Sequence, residues 1–565
     1  MRSIASSRNL SVRFASLCAL AVFVAACGGG GGGVPAATSA PAQAAAKPTT
    51  APAAATAPTT SAPASVSATS APANAVATSP AGALKSSKDT LTIVFQANQG
   101  SLDGHFAATN QELLVTRNIY SSLLKYKPDT TELTGDLATS WDSTPDGLSY
   151  TFKLRQDVEW QKGFGHFTAA DVKGSFDRLR APETKSPFAG SISMLQEVQV
   201  VDDYTVKFIL STPYAAFPHL LTNYRDGPIV NVKAVQQFGK DYDWNPVGTG
   251  PYQFESGVPK QEAIVTTFDK YYGGVAPIKR VVTRTIPDIN AQVVGLENGQ
   301  YDMMFVAPED PAVVKRLTDK GFVRTKFSRN LPEVLLMNVT VKPFDDLKVR
   351  QAIAYALDRQ QLIDLVYADA AKPWYSPVPE GFFGATTDVP KFEHDVAKAK
   401  QLLADAGYPN GLDVTLNVYD TQKLASDVLS EQLKQVGIRV TEEVLDQPTF
   451  IGRVIQNQGI NFAMHCCVRQ PDADIILSDM FSPKYRGAIY ISHADLEADL
   501  ALARKELDVP KRQQMYVDLQ KKILNDVDMI PVAMVLDRSV SVASLKGMPS
   551  VEALWGLDLT RLYFQ

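Results

Sequence analysis

Leu137-Ala-Thr-Ser-Trp141, Pro145-Asp-Gly-Leu-Ser-Tyr-Thr-Phe-Lys-Leu-Arg155 and Val158-Glu-Trp160, running on to Phe167-Thr-Ala-Ala-Asp-Val172, form the stretch whose reading decides the fold. Tyr150, Phe152 and Leu154 alternate with Thr151 and Lys153, the period-two pattern of a strand with one buried face. Trp141 and Trp160 on either side of that run are assigned to the core of the same unit rather than to ligand contact. Working outward, residues 90–95 are an apolar run that reads as a strand. Residues 198–210 read as two alternating runs joined at Asp202-Asp203.

The second half of the chain turns helical. In residues 395–406, Val396, Ala399, Leu403 and Ala406 share one face, and Gly407 and Pro409 stop the helix. Residues 424–436 repeat that design and end at Gly437, after which Ile438 and Val440 alternate as a strand. Asp358 with Gln361 three residues on predicts a capped helix carrying Leu362, Ile363 and Val366. Helices alternating with short strands point to α/β crossover units here. Apolar strand material returns at residues 530–536.

The deciding stretch is long and ordered, and it resembles the signature of the oligopeptide-, dipeptide- and nickel-binding proteins of ABC importers. Further matches follow in family order: Asn245-Pro-Val-Gly-Thr-Gly-Pro-Tyr252, Leu296-Glu-Asn-Gly-Gln-Tyr-Asp302, Leu336-Met-Asn338, Val349-Arg-Gln-Ala-Ile-Ala-Tyr-Ala-Leu-Asp358 and Ala404-Asp-Ala-Gly-Tyr-Pro409. The resemblance implies an α/β, periplasmic-binding-protein-like fold of the large cluster C type, with two lobes around a ligand cleft plus an inserted extra domain. On this chain it implies a first domain of residues 90–132, 243–328 and 533–565, an inserted domain of 133–242, and a closing domain of 329–532. The crossings near 329 and 532 would form a hinge.

Ahead of this body, Arg2, Arg8 and Arg13 precede an apolar run over residues 14–26 that is too short for a membrane-spanning helix, the layout of a secretory signal. Val24-Ala25-Ala26-Cys27 resembles a lipobox, which predicts cleavage after residue 26 and lipid on Cys27. Residues 28–88 begin with six glycines and continue in Ala, Pro, Thr and Ser, a composition that cannot bury enough apolar surface to order itself. They read as a disordered tether of roughly 45 Å mean span. The expected location is the outer face of the cell membrane, held through the lipid alone.

A net charge of −5 argues against a nucleic-acid partner. Six histidines without ligand spacing call for no metal, His465 included, and no cofactor is expected. Ser122-Leu-Leu-Lys125 fits Ser-x-x-Lys by chance frequency, without a Lys-Thr-Gly, a Gly-x-Ser-x-Gly or a His-Glu-x-x-His to support a hydrolase. The expected role is therefore capture of a small-molecule solute by a monomer that delivers it to ABC permease subunits, without catalysis. A protein presenting its ligand to a membrane receptor is the alternative.

The resemblance also places ligand contacts. The loop after the first strand, residues 96–102, offers Asn98, Gln99 and Ser101; Phe188 lies where the inserted domain faces the ligand, with plain surface packing as the other reading. Tyr419, Asp420 and Thr421 follow the strand 414–418, at the carboxyl end where α/β crevices form. In Met464-His-Cys-Cys-Val-Arg-Gln-Pro-Asp-Ala-Asp474, family peptide binders carry an aspartate for the ligand amine, and this chain sets Arg469 there. A guanidinium fork suits a carboxylate, a phosphate or a polyol. The other reading pairs Arg469 internally with Asp472 or Asp474. Cys466 and Cys467 either close a vicinal disulfide beside the ligand or remain thiols.

Overall fold

The computed structural model describes residues 85–96, 100–222, 225–307, 310–367, 370–419, 422–446, 449–450, 452–453, 459–466, 470–482, 494–550 and 557–565. The deciding stretch folds largely on itself. Ala138–Ser143, Ser149–Leu154, Thr205–Leu210 and Leu195–Asp202 form an antiparallel four-stranded sheet in that spatial order. Alternation buries Tyr150, Phe152 and Leu154 beside Val206, Phe208 and Leu210. Helix Ala169–Arg180 covers that face with Val172, Phe176 and Leu179, and the Phe176 and Phe208 rings meet edge to face at 5.1 Å. Thr168 and Asp171 cap the helix reciprocally, and the Asp171 carboxylate also accepts from the indole of buried Trp160 at 3.3 Å.

Gly248 and Gly250 are explained by close approach. A Cβ on Gly248 would lie 2.0 Å from the Ile119 carbonyl oxygen, and one on Gly250 2.6 Å from that of Asn118. The buried Gln161 amide sits in the same crossing, accepting from Gly248 N and donating toward the Ile119 and Tyr252 carbonyls. The glycines let three backbone segments touch.

The main sheet, among the described residues, runs Ile438–Leu445, Leu412–Tyr419, Phe462–Cys466, Val323–Met337, Met529–Ser541, Met303–Met304, Thr90–Phe95, Arg280–Thr285, Glu262–Thr267, Tyr252–Val258. Its spine is the antiparallel pair Val323–Met337 and Met529–Ser541, and Ala371–Pro373 also pairs with the latter. Their register breaks between Phe327 and Leu331 and again between Glu333 and Val334. To one side Thr90–Phe95 lies parallel to Arg280–Thr285 and Met303–Met304. To the other, Leu412–Tyr419 lies parallel to Ile438–Leu445 and Phe462–Cys466. Helices Ile289–Glu297 and Lys423–Gln435 make the crossovers that parallel neighbours require.

Local signals hold closely in this region. Helix Val396–Asp405 starts where the Asp395 carboxylate accepts from Lys398 N at 2.9 Å, and Gly407 and Gly437 follow their helices at φ +90° and +94°. At Asp358 the outcome differs. Its carboxylate accepts from Gln361 N at 2.9 Å, but Arg359–Leu362 is a single turn that passes into the π-helical turn Ile363–Tyr367. The Gln432 side chain supplies the reciprocal bond to Asp358 N at 3.1 Å, so a residue 74 positions away completes the cap.

Candidate ligand-binding cleft

Parallel strands present their carboxyl ends on one edge, where the following loops are free to hold a ligand. In the first lobe that edge is the end of Thr90–Phe95, followed by the loop that reaches Ser101. In the closing lobe, Asn417 pairs with Ala463 and Glu333 pairs with both Cys466 and Ala533. Counting along those registers sets Tyr419 beside His465 and brings Glu333 level with the end of Phe462–Cys466. The Tyr419 and His465 rings lie 6.5 Å apart, and Phe450 packs on both, at 5.2 and 5.7 Å. Glu333, 5% exposed, accepts from the Tyr367 hydroxyl and from Gln422 Nε2 at 3.2 Å, which ties the start of helix Lys423–Gln435 to the spine strand.

Segments far apart in the chain touch at two points. Gln470 Nε2 donates to Asp226 Oδ2 at 3.3 Å, with both residues buried, and Ser191 Oγ donates to Asp226 Oδ1 at 2.5 Å. Thr131 Oγ1 donates to the Gly381 carbonyl at 2.9 Å. Behind Gln470, Asp472 is gripped by both terminal nitrogens of Arg512 at 2.8 and 2.7 Å, and Asp474 by Arg504, Tyr516 and Ser478. Across from them Tyr126 and His219 meet at 3.0 Å. Burial holds the His219 pKa down, Asp472 pulls it up and Arg512 pushes it down again.

Four of the sequence-derived candidates are placed. Ser101 donates its hydroxyl to Asp243 Oδ1 at 2.6 Å and accepts from Asp103 N at 3.1 Å, so it shapes its own loop. Phe188 is 2% exposed and belongs to the first-lobe core, not to surface packing, with its ring 5.5 Å from the Arg225 guanidinium. Tyr419 is buried in the aromatic group described above. Cys466 ends its strand opposite Glu333. Asn98, Gln99, Asp420, Thr421, Cys467 and Arg469 lie outside the described residues, as does Cys27. Asp472 and Asp474, offered as internal partners for Arg469, are already engaged by Arg512 and Arg504. The structure brings Phe188 and Gln470 close to one turn, because Arg225 contacts the former and its neighbour Asp226 the latter. Sequence reasoning did not single out Asp226, Gln470 or Glu333. Gln470 was within reach as the neighbour of Arg469, but Asp226 belongs to no pattern and meets Gln470 across 244 positions.

Ser122 gives no support to a nucleophile. It is fully buried, its hydroxyl donates to the Leu124 carbonyl at 2.7 Å, and Lys125 is paired with Asp136 at 3.2 Å. Among the described residues no group of three or more His, Cys, Asp or Glu side chains converges as a metal site would.

The model of the bacterial extracellular solute-binding proteins, family 5, matches residues 132–486. The glutathione-binding protein GsiB of Pectobacterium atrosepticum is 31% identical over 485 residues, covering 83% of this chain and 92% of its own length. Among solved structures, the binding protein MoaA of A. tumefacien R10 in complex with mannopinic acid superposes with a TM-score of 0.76 at 28% identity, over 85% of this chain and all of that one. The ABC transporter-associated periplasmic binding protein DppA of Helicobacter pylori, in complex with peptide STSA, gives 0.75 at 27% identity, over 84% and 98%. On this match over residues 132–486 and this identity, the chain belongs to the family 5 bacterial extracellular solute-binding proteins.

Proposed function

We propose that this protein is the extracytoplasmic capture subunit of an ABC importer and that its cargo is a small polar acid, a short peptide or a sugar-acid conjugate. The observation that carries the reading is the buried contact of Gln470, next in the chain to Arg469, with Asp226, 244 positions away. Relatives that carry glutathione, mannopinic acid and a tetrapeptide in their names or titles support an acidic or peptide cargo. Arg469 would grip a carboxylate through its planar fork. Residues 90–132, 243–328 and 533–565 would make the first domain, 133–242 the inserted one and 329–532 the closing one. The broken register between Phe327 and Leu331 supports a hinge there. Cys27 would carry the lipid, residues 28–88 the tether, and the monomer would hand its solute to the permease.

Titration calorimetry of the full mature protein with glutathione, mannopinic acid and the peptide Ser-Thr-Ser-Ala tests this. At least one is expected to bind, with compaction in small-angle scattering as the lobes close. Arg469→Ala is expected to weaken that binding about tenfold or more, the loss of a charge-assisted fork. Absence of binding to all three would overturn the cargo class, and unchanged affinity in the variant would remove Arg469 from the site.

A further inference from the structure

Glu333 lies where the spine strand passes the ends of two parallel strands. It stands opposite Cys466, the last residue of Phe462–Cys466, and its carboxylate meets Gln422, three residues past the end of Leu412–Tyr419. Segments that leave parallel strands at their carboxyl ends are where α/β folds hold small molecules. Glu333 and Gln422 therefore stand at the roots of the two chain segments that carry Thr421 and Arg469.

Each Glu333 oxygen takes one donor. The Tyr367 hydroxyl donates to Oε2, and Gln422 Nε2 donates to Oε1 at 3.2 Å. A donor on each oxygen suits the ionised carboxylate, which only accepts. It also sets the Gln422 amide: with Nε2 turned to Glu333, Oε1 faces away. Gln422 is 5% exposed, and its Oε1 is buried and meets no donor among the described residues.

The ordinary uses of such a side chain are elsewhere. Gln422 holds the N-cap position of helix Lys423–Gln435, but its side chain makes no cap bond. Lys423, next in the chain, is turned to Asp427 and to Glu442, the latter at 3.1 Å. Buried carbonyl oxygens are nearly always hydrogen-bonded, so this one marks the place of a donor that comes from outside the chain. An amide that donates to a carboxylate is polarised by it, and its oxygen becomes a stronger acceptor. The Glu333 charge beside it favours a donor that is itself positive. The helix N-terminus opposes this with about half a charge, which the full charge of the carboxylate outweighs.

We propose that Gln422 Oε1, backed by the Glu333 carboxylate, accepts the protonated amine of the solute. The proposal deepens the capture reading above and rests on it: the cargo carries an ammonium as well as an acid.

Titration calorimetry of the full mature protein with matched probes tests this. Glutathione and Ser-Thr-Ser-Ala are each compared with the deamino analogue in which hydrogen replaces the free amine, and mannopinic acid with the analogue in which an ether oxygen replaces the amine nitrogen. For each amine that binds, the amine-free partner is expected to be weaker about tenfold or more, the loss of a charge-assisted bond. Gln422→Leu is expected to remove that preference. Gln422→Lys keeps a donor for Glu333 but sets a cation where the acceptor stood, so it is expected to reverse the preference. Thermal unfolding checks that both variants are folded. A side chain that only steadies Glu333, or holds a buried water, would leave the preference of Gln422→Lys as it is in the parent. That result, or equal binding of amine-bearing and amine-free partners by the parent, overturns the proposal and leaves an acid cargo standing. If no probe of either kind binds, the cargo class falls and the proposal with it.

Discussion

His105 is 1% exposed, and burial pulls its pKa down to about 4, with Asp103 opposing and Arg178 adding to the fall. A base whose folded pKa lies below its unfolded value of about 6.5 binds more protons unfolded, so stability is full above about pH 6.5 and is lost as pH falls toward 4. Between pH 7 and pH 5 this single group is expected to cost about 2 kcal/mol. Chemical denaturation at the two pH values checks this, and His105→Gln should remove most of the difference attributable to the residue. No sequence pattern singles out His105: its partners Ser175 and Arg178 lie 70 and 73 positions away. Trp160 was legible as core because a large apolar side chain has few other places to go. That Gly248 and Gly250 must be glycine follows only from a second segment, whose Ile119 and Asn118 carbonyls a Cβ at these positions would meet.

At the scale of elements, local signals placed helices and strands well and left their partners open. Helix Ala473–Phe481 starts at Asp472, whose carboxylate accepts from Asp474 N at 2.9 Å, the ordinary work of an N-cap. The same carboxylate also receives Arg512 from helix Val509–Asn525, and the guanidinium lies 4.5 Å from the Phe383 ring centroid. Both partners of this ion pair are almost fully buried, at 5% and 2% side-chain exposure. Arg512→Met is therefore expected to destabilise the protein by about 3–5 kcal/mol, because it leaves the Asp472 charge buried and unpaired. Adding Asp472→Asn should recover part of that loss. Thermal melts of the two variants decide it, and a single variant as stable as the parent would show that the pair contributes nothing. The sequence marks Asp472 as a cap by position alone; that Arg512 completes it follows from two helices packing 40 residues apart.

At the scale of the molecule, one sheet runs through both lobes, and its spine joins residues 323–337 to 529–541. Its register breaks between Phe327 and Leu331 and between Glu333 and Val334, and bulges of that kind bend a strand pair locally. The N-terminal segment adds the last expectation. Cys27→Ser should shift the protein from the membrane fraction to the soluble fraction of cells, since the described residues contain no helix long and apolar enough to cross a membrane. Recovery of the variant with membranes would mean another anchor. Taken by itself, the sequence gives the family, the strand-rich first part and helical second part, and the helix stops at Gly407 and Gly437. These follow from periodicity, turn chemistry and ordered motifs, all of which are properties of neighbours in the chain. Only the tertiary structure decided the sheet order, the spine, the burial of Phe188, and the meeting of Asp226 with Gln470. Those depend on which distant surfaces exclude water from each other, as where the Gln470 amide meets the buried Asp226 carboxylate across 244 positions.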